Sequence, residues 1–217
     1  EVMRDTTQSG TSRARCAEAL LAYGHGKPPK RSVVFLNVTA EEKGLLGSEY
    51  YATNPLYPLA TTVGVLNMDA LDPHGPARNF TTSGSAKLDL LDDTIAAAKR
   101  MQIAYSPDPK PEAGHFFRSD HFPFAKRGVP AISYGSGNDL VDGGIAAGEA
   151  MEQAYVTDNY HQPSDEWHAD WSFTGMARDL QLLHTVGADL ANSSRWPAWS
   201  QDSEFRGTRD GSAAARK

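Results

Sequence analysis

Residues 33–48 read VVFLNVTAEEKGLLGS, and this stretch decides the predicted fold. Its first six residues are apolar except for one asparagine, which predicts a buried strand of a parallel or mixed sheet. Glu41 and Glu42 follow directly, and the apolar residues after them predict a helix. A strand that leads through acids into a helix places those acids at the carboxyl edge of a sheet, where open α/β sheets bind ligands. Alternatively, the two glutamates only occupy the first turn of the helix, where negative charge is favourable.

Composition indicates one α/β domain with a sizeable core. The chain has 217 residues, of which 40% are hydrophobic. The net charge is −6 and basic residues form no block, which argues against nucleic acid as a partner. Cys16 is the only cysteine, so an internal disulfide and a zinc-thiolate site are excluded. No apolar run approaches the length of a membrane span.

Strand and helix patterns alternate along the chain, as is typical of α/β domains. The elements predicted after the first stretch are a strand at 62–69, a helix at 87–101, a short helix from Ser119 to Gly128, a strand at 129–134 and a helix at 176–190. A short helix is also predicted upstream, at 16–23. Residues 135–159 contain five glycines and are predicted to form a long loop. A polar tail follows from Asn192.

Hard ligands occur in three separate segments, each at the end of a predicted element. They are the Glu41/Glu42 pair, Asp69 and His161. Carboxylate and imidazole ligands suit zinc, and a catalytic zinc keeps one position open for water. Of two neighbouring glutamates, one can bind the metal while the other takes a proton from water. Taken singly, Asp69 can be a strand-end turn acid and His161 an ordinary loop histidine.

Four motifs occur in the order and approximate spacing of the di-zinc aminopeptidase family, metallopeptidase family 28. They are Thr39-Ala40-Glu41-Glu42-Lys43-Gly44-Leu45-Leu46-Gly47-Ser48, Asn67-Met68-Asp69, Ser119-Asp120-His121 and Tyr160-His161-Gln162-Pro163-Ser164-Asp165-Glu166. The chain therefore resembles bacterial leucyl-type aminopeptidases and their relatives, which include glutamate carboxypeptidase and glutaminyl cyclase. The resemblance implies a three-layer α/β/α fold with a mixed, mostly parallel sheet. It also implies a catalytic domain over residues 1–192, with residues 193–217 as a polar tail.

The resemblance further implies a zinc-dependent exopeptidase that acts on peptide substrates, an aminopeptidase rather than a carboxypeptidase. Glu41 would be the general base, Glu42 and His161 would bind one zinc, and Asp69 would bind the other. The metals would polarise the scissile carbonyl and activate a water, and Glu41 would pass its proton to the leaving amine. Ser119-Asp120-His121 would support the site without a catalytic role. A secreted or periplasmic location is expected by the same resemblance.

The chain also departs from the family pattern. The family has an upstream His-x-Asp segment, whose histidine binds the second zinc, and an aspartate that bridges both metals. Counting back from Ser9-Gly10 puts Thr6 at the bridging position, with Asp5 one residue away. We interpret the chain as an N-terminally incomplete member or one with a degenerate second zinc site. Weak zinc binding and little aminopeptidase activity are expected on this interpretation.

Two other functions are compatible with the motifs. One is a catalytically inactive family member that serves as an interaction domain. The other is a one-zinc acyltransferase like glutaminyl cyclase, although the glutamate pair and the Gln162-Pro163-Ser164-Asp165 context favour a peptidase.

Overall fold

The computed structural model describes residues 28–69, 71–84 and 87–216, which form a mixed sheet flanked by helices. Its strands in these ranges are β1 Val65–Met68, β2 Asn79–Thr82, β3 Ala104–Tyr105 and β4 Ala131–Ser136. They lie in the order β1-β4-β2-β3. The pairs β1/β4 and β2/β3 are parallel, whereas β2 and β4 are antiparallel. The predicted α/β class with a mixed, mostly parallel sheet is confirmed.

Helices cover both sides of the sheet, which gives the predicted three-layer arrangement. The helices in the described ranges are α1 Leu46–Thr53, α2 Asp89–Arg100, α3 Phe122–Ala125, α4 Gly144–Asp158, α5 Thr174–Asn192 and α6 Arg206–Gly211. The α2 and α5 helices pack against each other and against β4, while α1 packs against α3. None of the helices in this part of the chain has the length and hydropathy needed to cross a bilayer.

The core lies where α2 and α5 meet the central strands. Phe80 of β2 and Ile132 of β4 are fully buried, and Phe80 stacks on Tyr134 with ring centroids 5.4 Å apart. On α2 the buried side chains recur at helical spacing, acids occupy the first turn and basic residues the last. This arrangement suits both the packing and the helix dipole, which explains why the sequence pattern predicted α2 closely.

Two predicted elements are wrong. The described sheet contains no strand at 33–38, where Val34 and Leu36 are 44% and 40% exposed. Apolar and β-branched residues favour a strand, but a strand also depends on the neighbours against which it packs. The long loop predicted at 135–159 is largely the 15-residue helix α4. Its alanines are strong helix formers, but its apolar residues form no stripe, since only Gly148 of this helix is buried.

The segment after Asn192 is packed into the domain rather than forming a polar tail. Trp199 is 2% exposed, and its indole N–H donates to the Gly128 carbonyl at 3.1 Å. Arg209 of α6 is equally buried and donates to the carbonyls of Thr62 and Val63 at 3.0 and 3.3 Å. These carbonyls lie just before β1, so residues 193–216 help to hold the first strand in place. The polar composition of this segment predicts an exposed tail, but a polar side chain such as Arg209 can be buried when it is hydrogen-bonded.

An ion pair joins α1 to the turn after α3. Arg127 Nη2 lies 2.5 Å from Glu49 Oε1, and Lys126 Nζ lies 2.9 Å from Glu49 Oε2. The hydrogen bond from Arg127, followed by that from Lys126, lowers the pKa of Glu49 from 4.5 to about 2. Because the pKa is lower in the folded protein, this stabilisation is complete above about pH 4.5 and is lost as the pH falls towards 2.

Glu49→Gln is therefore expected to lower the free energy of unfolding near neutral pH and to have no effect in strong acid. Solvent screens this partly exposed pair, so we expect a loss of only about 0.5–1 kcal/mol. Urea unfolding across this pH range measures the difference, with the exposed Glu149→Gln as the matched control. A deficit that is the same at neutral and acidic pH would contradict the assigned cause.

Candidate active site

The glutamate pair lies on a tight turn with unusual backbone geometry. Glu41–Lys43 form one turn of 3-10 helix, closed by a hydrogen bond from the Gly44 amide to the Glu41 carbonyl at 3.0 Å. Ala40 and Leu45, on either side, have φ of 58° and 59°. Left-handed backbone is uncommon for residues other than glycine and is concentrated at functional sites. The turn is therefore a candidate functional position on backbone geometry as well as on its carboxylates.

Gly47 allows the chain to fold back closely behind this turn. Its amide donates to the Thr39 carbonyl at 2.9 Å. A Cβ at this position would lie 2.5 Å from the Thr39 carbonyl oxygen, which is closer than side-chain carbons approach. The close contact requires glycine and orients the start of α1 relative to the glutamates.

The structure brings together Glu42 and His161, two of the predicted ligands that are far apart in sequence. Glu42 Oε1 lies 2.7 Å from His161 Nε2. The His161 ring also stacks on Tyr160, with centroids 3.9 Å apart, and its backbone has a left-handed φ of 58°. Both side chains are more than half exposed, so the pair is accessible from solvent.

Asp69 lies outside this direct contact but acts on the same group of charges. It follows the last residue of β1, at the carboxyl end of that strand. The pKa of Glu41 is raised, chiefly by burial. The negative charges of Asp69, Glu42 and Asp120 raise it further, while His161 lowers it. Carboxylates from three segments therefore interact electrostatically around Glu41.

The donor chemistry of this group fits a divalent cation such as zinc. Glu42, Asp69 and His161 are ligand types that zinc accepts, and a cation would offset the repulsion among the carboxylates. Within residues 28–69, 71–84 and 87–216 there is no group of three or more such side chains with metal-binding geometry. Asp5 and Thr6, the candidates for the bridging position, and the helix predicted at 16–23 lie outside the described residues.

The Ser119-Asp120-His121 segment supports the site through contacts that the sequence did not predict. The fully buried Ser48 hydroxyl donates to Asp120 Oδ1 at 2.5 Å. Burial is the main cause that raises the pKa of Asp120, and the charge of Asp69 adds to it. Asn67 Nδ2 donates to the hydroxyl of Ser119 at 2.9 Å, which ties this segment to β1. The only sign in the sequence of the contact between Ser48 and Asp120 is that Ser48 ends the glutamate motif.

His121 is the buried member of that segment. It is fully buried, and neither ring nitrogen has a hydrogen-bond partner among the described residues. Burial lowers the pKa of His121 to about 4, so the ring is neutral near neutral pH. Its ring packs edge-on against Phe116 with centroids 4.7 Å apart. It therefore contributes to packing rather than to the charge of the site.

Comparison with known proteins assigns the chain to a family. No curated protein matches it. The family model described as peptidase family M28, in contrast, matches residues 9–184, a span that contains the glutamate turn, Asp69 and His161. Because this match extends over most of the chain, the protein belongs to peptidase family M28.

Proposed function

We propose that this chain is a zinc-dependent aminopeptidase that hydrolyses the first peptide bond of its substrates. Its family is one of peptidases that depend on zinc in general. The observation that supports a zinc site is the 2.7 Å approach of His161 Nε2 to Glu42 Oε1, directly beside Glu41. The preference for the amino terminus rests on the resemblance of the motifs. Glu42 and His161 would hold one zinc and Asp69 would contribute to a second, and zinc when bound supplies Lewis-acid polarisation of the scissile carbonyl.

Glu41 is the general base in this proposal. The turn that carries it is closed by hydrogen bonds from the Gly44 and Leu45 amides to the Glu41 carbonyl at 3.0 and 2.8 Å. These bonds fix the backbone of the turn and do not involve the carboxylate oxygens of Glu41. One of those oxygens is then available to take the proton from the attacking water and to deliver it to the leaving amine.

Two measurements test this function. Zinc per chain is determined by atomic emission, and hydrolysis is followed with leucine p-nitroanilide and its N-acetyl derivative. An aminopeptidase hydrolyses the first substrate and not the second, since it requires a free amino terminus. Release of the last residue from an N-blocked peptide would indicate a carboxypeptidase, and cyclisation of an N-terminal glutamine without hydrolysis would indicate a cyclase. Absence of both zinc and turnover would support the inactive interaction domain.

His161→Ala is expected to weaken zinc binding by at least about 100-fold. Loss of a group that only orients a ligand already costs about 10- to 100-fold in metal affinity, and loss of the ligand itself should cost more. Competition with a chromogenic zinc chelator measures the dissociation constant. The exposed His115→Ala is the matched control and should bind zinc like the parent chain. Equal affinity of all three proteins would remove His161 from the ligand set.

A further inference from the structure

A cavity of about 300 Å³ lies between the segment after β1 and the helix α4. Its walls come from the segment after β1, the C-terminal half of α4, the 164–171 loop and the start of α5. Leu71, Met151, Trp171 and Met176 provide apolar and aromatic surface. This volume is at the lower end of the range for small-ligand sites and suits one amino-acid side chain.

The polar part of the cavity is predominantly acidic. Asp72, Asp165 and Glu166 contribute carboxylates, and His74 and His168 also line it. Among the described residues that line the cavity there is no lysine or arginine.

Asp72 is the most buried of these acids. Burial raises its pKa, as do the charges of Glu152 and Asp179, whereas His74 lowers it. Its amide donates to the Ser136 hydroxyl at 3.4 Å, which keeps this residue next to β4. A carboxylate in such surroundings is stabilised when a cation enters the cavity beside it.

Aromatic contacts connect the cavity to the candidate active site. Tyr155 lines the cavity, and its hydroxyl donates to Asp165 Oδ2 at 3.0 Å. The ring of Tyr155 lies 5.9 Å from that of Tyr160, which in turn stacks on His161 at 3.9 Å. Two ring contacts therefore separate the cavity wall from the Glu42–His161 pair. The cavity is thus connected to the candidate active site through packed aromatic rings.

We propose that this cavity binds the side chain of an arginine or lysine in the peptide substrate. The aliphatic stem would contact Leu71, Met151 and Met176, and the cationic head would pair with Asp72 and lie near the ring of Trp171. An entirely apolar side chain would bring no positive charge to the cavity carboxylates, and a bare metal ion would not use the apolar walls. That the ligand is part of a substrate rests on the proposed peptidase function. Binding of the cationic side chain does not depend on turnover.

The test is calorimetric titration of the full chain with arginine amide and with citrulline amide, its neutral isostere. Both ligands carry the same amino and carboxamide groups, so any contribution from zinc or from Glu41 is common to the two titrations. Arginine amide is expected to bind at least about tenfold more tightly, as one charged hydrogen bond in a partly buried site predicts. Asp72→Asn should abolish this difference, and Asp92→Asn, which removes the same charge from the exposed face of α2, should retain it.

Equal binding of the two amides, absence of binding at millimolar concentration, or a preference that survives Asp72→Asn would each overturn the inference. Turnover of leucine p-nitroanilide is measured on the same samples. Selective binding without turnover would remove the peptidase proposal and keep the cation site, whereas turnover without selective binding would do the reverse.

Discussion

Glu41→Gln is expected to lower kcat/KM for leucine p-nitroanilide by about 100- to 10,000-fold while zinc content stays unchanged. The amide keeps the size and shape of the carboxylate but cannot accept a proton from water. The turn that holds residue 41 depends on backbone hydrogen bonds to its carbonyl, so the substitution should leave the local structure intact. Steady-state kinetics and atomic emission on the same preparation measure the two quantities.

Glu112→Gln is the matched control for this variant. It makes the same chemical change at an exposed position in another 3-10 turn and should leave both quantities at the parent values. Parent-like turnover of Glu41→Gln would remove Glu41 from the mechanism. Loss of zinc together with activity would instead assign Glu41 a ligand role.

Trp199→Ala is expected to lower the free energy of unfolding by about 3–5 kcal/mol. The side chain is 2% exposed and packs against Phe205 with ring centroids 4.9 Å apart. Truncation removes this apolar contact, leaves a cavity and deprives the buried Gly128 carbonyl of the indole hydrogen bond. Urea unfolding followed by far-UV circular dichroism measures the change.

Trp167→Ala provides the comparison, because this tryptophan is 67% exposed. Its substitution should change the free energy of unfolding by no more than about 0.5 kcal/mol. If Trp199→Ala were as stable as Trp167→Ala and the parent chain, the segment after Asn192 would contribute little to the stability of the domain. A large loss confined to Trp199 would establish that residues 193–216 are part of the folding unit.

Elements with a clear periodic pattern were the ones that sequence predicted well. The strand ending before Asp69, the helix α2 and the strand β4 agree with their predicted positions within a few residues. In α2 and β4 the apolar residues are buried, and in β1 Val65 and Leu66 pack partly buried against the core, so the position of the apolar residues reflects the packing. The helix α4 lacks this relation, since its apolar residues Ile145, Met151 and Val156 are exposed. For this reason the five glycines of residues 135–159 outweigh any helical pattern in the sequence, and the segment is predicted to be a loop.

The candidate site was predicted residue by residue, but its contacts were not. Glu41, Glu42, Asp69 and His161 could be selected from the sequence because their motifs combine ligand types with the ends of elements. The pairing of Glu42 with His161 depends on the path of the chain after α4, which no local pattern specifies. The hydrogen bond between Ser48 and Asp120 depends in the same way on how α1 packs against α3.

The α/β class, the family and the chemical types of the candidate site residues could be read from the sequence, because they depend on residue identity, local order and periodicity. The tertiary structure was needed to learn which of those residues touch, that the segment after Asn192 belongs to the domain, and that an acidic cavity lies two ring contacts from His161. Such features arise between segments that are distant in the chain. Their geometry is set by the packing of whole elements against one another, which short-range patterns do not encode.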